Sequence, residues 1–321
     1  MNLNFSKMMF TNTIMIGVMM AVSSNNWMIL WTSMEIGVLS IVPLMTQEKV
    51  SSDSAIKYFI IQSISSCMMI AMISSMTSVI NFKIMLTQAM LIKIGAAPFH
   101  MWVLSIIEGI EYYTMFILFT LIKIPGLLTL GILNEQLKYW SILSMIIGSI
   151  MVMNQSSLKK MLSYSSIYNV GIMLSSINEN QVWMTYLLVY SMMLMMVLIL
   201  LSKMKMNYLN QLISNEIKMI SKTSIWIVLL SMAGMPPMVG FTIKMMILES
   251  MIIKMEILLL SIVFFTSILM MFMYMRISFL SMMMFSTLMK WKIFKKSNIE
   301  TKFLIMNLFF TPLALTLKSL N

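Results

Sequence analysis

Glu35, Lys93, Lys123 and Lys244 stand deep inside long apolar runs of this 321-residue sequence, while Lys57 lies near the end of one, where it can snorkel. On insertion scales a Lys at mid-bilayer depth costs roughly 2.5–3.5 kcal/mol, so passive packing is a poor explanation for three of them and a Glu. Burial favours the neutral form of either side chain, and a nearby opposite charge favours the ionised form of both. A buried Lys beside a movable carboxylate therefore holds or releases a proton according to the distance between them. That is the chemistry a proton relay needs. The competing explanation is a static ion pair between Glu35 and a buried Lys.

Each of the three Lys stands beside a helix-breaking pattern. Lys93 heads K-I-G-A-A-P-F-H, where Pro98 cannot donate to the carbonyl of Ile94 and its ring clashes there. Gly95, Ala96 and Ala97 leave little steric cover, which predicts a kink with room for water beside the amine. Lys93, Ala97 and His100 are spaced i, i+4, i+7 and share a face if the helix continues past the kink. His100, with an unperturbed pKa of about 6.5, is a candidate to pass protons; the alternative is an interfacial His bonded to a carbonyl. Lys123 lies in L-I-K-I-P-G, where Pro125 is predicted to free the carbonyl of Leu121 one turn from the amine. Lys244 ends A-G-M-P-P-M-V-G-F-T-I-K. There Pro236 and Pro237 are predicted to free the carbonyls of Met232 and Ala233, and Gly234 and Gly240 to permit an unwound segment. At membrane depth such a segment is tolerated only where it is protein-buried or wet. A simple turn between two short helices is the alternative.

A fifth polar stretch, N-Q-S-S-L-K-K-M-L-S-Y-S-S at 154–166, begins a predicted helix with Ser156 and Ser157 as caps. Ser163, Ser165, Ser166 and Asn169 are placed to hold water in its core.

The elements that must position these residues follow from apolar length. A bilayer core needs about 20 apolar residues per helix. That ruler marks about eleven spans: 8–23, 26–45, 54–78, 84–106, 113–132, 139–154, 158–178, 182–202, 223–253, 256–280 and 303–318. The ninth is too long for one straight crossing and holds the Pro-Pro pair, so a broken helix is predicted. Gly95 and Pro98 recur as Gly234 and Pro237, both offset by 139 residues, in the fourth span of each set of five. Two halves with interrupted helices at matching positions are a transporter pattern.

Alternate loops then lie on opposite sides. Thirteen Lys fall on the side of the N-terminus, against Lys83, Lys138, Lys254 and Lys318 on the other. This asymmetry predicts an N-terminus facing the charge-retaining compartment, the matrix in a mitochondrion.

Composition agrees with an all-α polytopic membrane protein. The chain is 60% apolar and only 10% charged, with a mean hydropathy of +0.90. Charged residues near 25% would mark an ordinary soluble enzyme. The net charge of +11 suggests nucleic acid at first sight, but the Lys lie in short loops between apolar runs and topology accounts for them. One Cys and one His exclude an iron–sulfur cluster or a multi-His metal site in this chain. The 46 Met, with few Ala, Gly, Pro and Arg, reflect an AT-rich gene and flexible apolar filling rather than chemistry.

Several segments, in this order, resemble a known family: M-E-I-G-V-L-S at 34–40, S-A-I-K-Y-F at 54–59, K-I-G-A-A-P-F-H-M-W at 93–102, N-Q-S-S-L-K-K at 154–160, S-S-I-Y-N-V-G-I-M at 165–173 and G-M-P-P-M-V-G-F-T-I-K at 234–244. They look like the subunit 2 family of mitochondrial NADH:ubiquinone oxidoreductase, respiratory complex I, in the eleven-helix animal form. The Met-rich composition is most similar to arthropod members. The resemblance implies an antiporter-like subunit of the proton-pumping membrane arm with two inverted five-helix repeats, at 1–132 and 133–280, followed by a loop and last helix at 281–321. It implies that Glu35, Lys93, Lys123 and Lys244 form a central charged axis, with Glu35–Lys93 the pair that changes during turnover. Neighbouring membrane-arm and accessory subunits and lipid are the implied partners. It further implies no cofactor in this chain, with flavin, iron–sulfur clusters and the quinone site elsewhere, and a multi-pass location in the mitochondrial inner membrane. Where this chain has Tyr168 or Asn169, the family often has His. A stand-alone cation/proton antiporter and a non-pumping structural spacer are the alternative readings of the same buried charges.

Overall fold

The computed structural model describes residues 5–46, 52–75, 82–133, 137–214, 219–236 and 238–283. Among the described residues there are only helices and one isolated bridge, between Ser157 and Tyr208. The first three spans are single helices, α1 (Phe5–Ser23), α2 (Trp27–Met45) and α3 (Ser52–Ser74). The fourth divides into α4 (Phe82–Ile94) and α5 (Met101–Ile107), and the fifth into α6 (Tyr112–Phe119) and α7 (Lys123–Leu133). Then come α8 (Lys138–Val152), α9 (Leu158–Ser175) and α10 (Asn180–Met204). A short helix, α11 (Leu209–Ser214), occupies a loop where the apolar pattern predicts nothing. Gln211 Oε1 caps it, accepting from the backbone N–H groups of Asn207 at 2.6 Å and Tyr208 at 3.2 Å. The ninth span is broken as expected, into α12 (Met219–Ala233) and α13 (Val239–Ile253), and α14 (Ile257–Met283) is the tenth. Pro237 and the expected span 303–318 lie outside the described residues.

Six of these helical stretches are long and apolar enough to cross a bilayer. Several Ser and Thr hydroxyls of these and the shorter helices are satisfied locally. Ser33 donates to the Leu30 carbonyl at 2.6 Å, Thr87 to Ile84 at 2.7 Å and Ser250 to Ile247 at 2.8 Å, each one turn back. In a medium without water this removes the penalty of an unpaired O–H while leaving the helix intact. Large apolar side chains such as Phe264, Phe265 and Phe272 on α14 point outward, as suits a lipid-facing surface.

The chain forms two compact units: Met1–Ile147 with Ser166–Asn180, and Gly148–Ser165 with Gln181–Asn321. In the first, α1 packs on α2, α2 on α3 and α3 on α4, and α7 packs on α4. Lys7 of α1 pairs with Glu111, which precedes α6, at 2.6 Å; alternation places both on the same side. In the second, α12 packs on α14, and the segments before α9 and after α10 meet. There the Leu158 N–H donates to the Asn207 carbonyl at 2.9 Å and the Leu209 N–H to Ser156 at 3.0 Å. Those two segments are also same-side loops by alternation.

Candidate functional site

The break after α4 is a Schellman ending. Gly95 has φ +76°, its N–H donates to Ile92 at 3.2 Å, and the Ala96 N–H reaches back to Leu91 at 3.1 Å. This is the six-to-one and five-to-two pattern in which a left-handed Gly closes a helix. Two carbonyls of the last turn also accept from side chains. Gln62 Nε2 of α3 donates to the Lys93 carbonyl at 3.3 Å, and Trp102 Nε1 of α5 to the Ile92 carbonyl at 3.0 Å.

Lys93 is in that last turn, where the helix dipole favours a cation. Its Nζ lies 3.2 Å from Oε1 of Glu35 on α2. The Lys side chain is 7% exposed and the Glu 23%. A cavity of about 30 Å³ adjoins the amine, with Ser33, Gln62 and Lys93 as its polar lining among apolar neighbours including Ile14 and Val18. That space suffices for one or two water molecules.

His100 is placed differently from the conditional expectation. Because α4 ends at Ile94 and α5 starts at Met101, Lys93, Ala97 and His100 do not share one helix face. Instead, His100 Nδ1 is 3.2 Å from the carbonyl of Pro98 within the turn, the carbonyl-bonded arrangement. Gly95→Ala is expected to disturb this region: its Cβ would lie 2.6 Å from Val103 Cγ2 and would force a left-handed conformation on an L residue. The conformational part alone costs about 1–2 kcal/mol, so a lower amount of assembled protein on native gels checks it.

The second break lies between α6 and α7. Pro125 is the third residue of α7, where an N–H has no helical partner in any case. The Leu121 carbonyl is not left free by it. It accepts from the Ile124 N–H at 3.3 Å, as the turn tightens to an i to i+3 bond. Lys123 Nζ instead approaches the Ser166 carbonyl of α9 at 3.4 Å and sits 5.2 Å above the centre of the Phe119 ring. Only 4% exposed, it is held by a carbonyl dipole and a ring face rather than by a carboxylate. Ser163 and Ser165 bond the carbonyls of Lys160 and Leu162 in their own helix. Asn169 and Tyr168 are buried on that helix.

The third break repeats the first. Gly234 has φ +80°, its N–H donates to Ser231 at 3.1 Å and the Met235 N–H to Leu230 at 3.3 Å, a second Schellman ending. Pro236 lies in the connection. The Ala233 carbonyl accepts from Lys244 Nζ of α13 at 2.6 Å. Gly240, expected in an unwound segment, is helical, in the first turn of α13. It is required there for close approach, since a Cβ would overlap the Ser231 carbonyl oxygen.

Sequence reasoning singled out every ionisable member of this arrangement but missed Gln62, Trp102 and Phe119, which hold two of the breaks. Gln62 had a signal: a single amide in an apolar run, one turn after Tyr58.

This geometry has relatives. The membrane-domain model described as NADH:quinone oxidoreductase/Mrp antiporter, TM, matches residues 24–270. The NADH-ubiquinone oxidoreductase chain 2 of Locusta migratoria is 34% identical over 313 residues, covering 90% of this chain and 89% of the relative. That of Artemia franciscana is 38% identical over 228 residues, covering 71% and 75%. Among solved structures, respiratory complex I from Thermus thermophilus contains a similar fold, with a TM-score of 0.85 at 18% identity over 98% of this chain and 79% of the other. A match across three quarters of the chain, a stretch that includes the broken helices holding the buried Lys, places this chain in the NADH:quinone oxidoreductase/Mrp antiporter membrane family, among the NADH-ubiquinone oxidoreductase chain 2 proteins.

Proposed function

We propose that this chain is a membrane-arm subunit of respiratory complex I in the mitochondrial inner membrane, with its N-terminus toward the matrix, moving protons as electrons pass to ubiquinone in other subunits. One observation carries the reading: a part-buried ion pair, Glu35–Lys93 at 3.2 Å, at the mouth of a helix break beside a cavity of water size. Lys93 keeps its proton while the carboxylate is adjacent. When Glu35 withdraws, the amine loses its counter-charge in a weakly polar setting, and release of the proton to nearby water becomes favourable. Lys123 and Lys244 are held by backbone carbonyls, which supply partial charge only, so each can gain or lose a proton without leaving a buried carboxylate behind.

The two Schellman endings, 139 residues apart, support repeats at 1–132 and 133–280. Such repeats are units of internal symmetry, and the compact packing units need not share their boundary. The redox centres belong to other subunits, which with lipid are the partners of this chain.

The test uses Glu35→Gln in the intact complex, isolated as the native-gel band carrying NADH dehydrogenase activity and reconstituted in vesicles. Gln keeps the shape and loses the charge, so assembly is expected to persist. Protons moved per NADH are expected to fall by about half or more, because Lys93 no longer has a switchable counter-charge. Normal pumping by the assembled variant removes the relay reading, and loss of assembly with normal residual pumping returns Glu35 to a static ion pair. A free antiporter would not migrate with that activity.

A further inference from the structure

The two Schellman endings differ in one respect, the donor that serves the carbonyls of the last turn. At the end of α12 an amine does so: Lys244 Nζ donates to the Ala233 carbonyl at 2.6 Å. At the end of α4 the task falls to two uncharged groups. Gln62 Nε2 of α3 lies 3.3 Å from the Lys93 carbonyl, and Trp102 Nε1 of α5 lies 3.0 Å from that of Ile92. A Lys in the last turn of a helix can bond such carbonyls itself. With both already served, the Lys93 amine is left to Glu35 and to the adjoining cavity. Gln62 is well placed for this work. It is 1% exposed, and its amide lines the same cavity as Lys93 and Ser33. Its helix, α3, packs against both α2, which carries the acid, and α4, which carries the base. The backbone of Lys93 is therefore fixed by the Gly95 turn and by two neighbouring helices. The Glu35 side chain, 23% exposed against 7% for Lys93, is the member of the pair with room to move.

We infer that Gln62, seconded by Trp102, is a positioning residue for Lys93: by holding the last turn of α4 it keeps the amine beside the cavity while Glu35 withdraws, so the pair opens by movement of the acid alone. No proton passes through the amide. Its effect is on distance. A base that followed the departing carboxylate would keep its counter-charge and its proton, whereas a base held in place loses the counter-charge and faces water. Without the amide, the Lys93 carbonyl needs another donor, and an unmet buried acceptor is costly. The last turn then shifts or the amine turns to the carbonyl, and either change takes Nζ from its place. The inference rests on the relay reading of Glu35–Lys93.

The test is Gln62→Met in the intact complex, which keeps the volume and unbranched shape and removes the amide. The Gly95 turn and the Trp102 bond still close α4, so the complex is expected to assemble. Coupled turnover should fall about three- to tenfold, the scale of one lost hydrogen bond, with the apparent KM for ubiquinone unchanged. The same substitution is then made in a Lys93→Ala background. There no amine remains to be positioned, and no further loss is expected. A merely structural amide would lower turnover by the same factor in both backgrounds, and that result overturns the inference. So does full turnover of the assembled Gln62→Met variant. If Gln62→Met does not assemble, Trp102→Phe takes its place in the same two backgrounds, since it removes the indole donor and keeps a ring beside Tyr58. Failure of both to assemble makes the two donors structural and overturns the inference as well. If Lys93→Ala alone pumps normally, the relay reading falls and this inference with it. If Lys93→Ala is impaired while Gln62→Met is not, only the inference falls.

Discussion

Lys93→Ala is expected to leave an assembled complex whose coupled turnover is at least roughly tenfold lower, the scale of losing a positioned acid–base group. The separation of the two effects follows from how the break is built. The end of α4 is set by Gly95 and by backbone groups: the Gln62 bond goes to the Lys93 carbonyl, not to its side chain. Ala is a good helix former at that position, so the break persists. What is lost is the amine paired with Glu35. The carboxylate, 23% exposed, is then left without its counter-charge. If the block is a missing proton carrier, an ionophore that dissipates the gradient does not restore NADH oxidation, whereas a back-pressure defect would be relieved. Proton transfer and NADH oxidation measured with and without the ionophore check this. Wild-type pumping by the assembled Lys93→Ala variant would end the assignment of Lys93 as a carrier.

Gly240→Ala should act by a different route, on the fold itself. A Cβ there would overlap the Ser231 carbonyl oxygen and stand 3.0 Å from its carbonyl carbon and 3.4 Å from the Gly234 Cα. All three are backbone atoms, so no rotamer change relieves the contact, and α13 must move away from α12. That motion draws Lys244 Nζ off the Ala233 carbonyl, now 2.6 Å away, and disturbs the carbonyl that closes the Gly234 turn. Forcing extra volume into such a contact costs about 1–3 kcal/mol or more. The expected result is a severe loss of assembled complex on native gels, with the residual complex impaired in pumping. Gly131→Ala is the matched control, because its Cβ would meet only ordinary contacts, the nearest at 3.7 Å. Equal abundance of the two variants would contradict the packing argument.

The sequence was most legible where one segment decides the outcome. Ten of the eleven apolar spans are helices at nearly the expected limits, and the break near Pro236 is in place. The break at Gly95 is a full ending rather than a kink, because a left-handed Gly followed by Ala-Ala-Pro closes one helix and cannot continue it. The reading of Pro125 failed for a related reason. A missing N–H matters only if the helix runs through it, and here the chain turns before it, so the Leu121 carbonyl finds Ile124. The helix α11 is only six residues long, far below the length of a bilayer crossing, so a reading by apolar length passes over it.

By itself the sequence determined that this is a helical membrane chain with interrupted spans, and that charge inside those spans is confined to a few named residues. Apolar length, Pro, Gly and the energetic cost of buried charge are local properties, written along the chain. The tertiary structure alone decided the partners: Glu35 for Lys93, the Ser166 carbonyl and the Phe119 ring for Lys123, and the Ala233 carbonyl for Lys244. A buried cation needs compensation within a few ångströms, and which groups provide it depends on the helices and turns brought together around each amine. Sequence spacing does not encode that distance across separate elements.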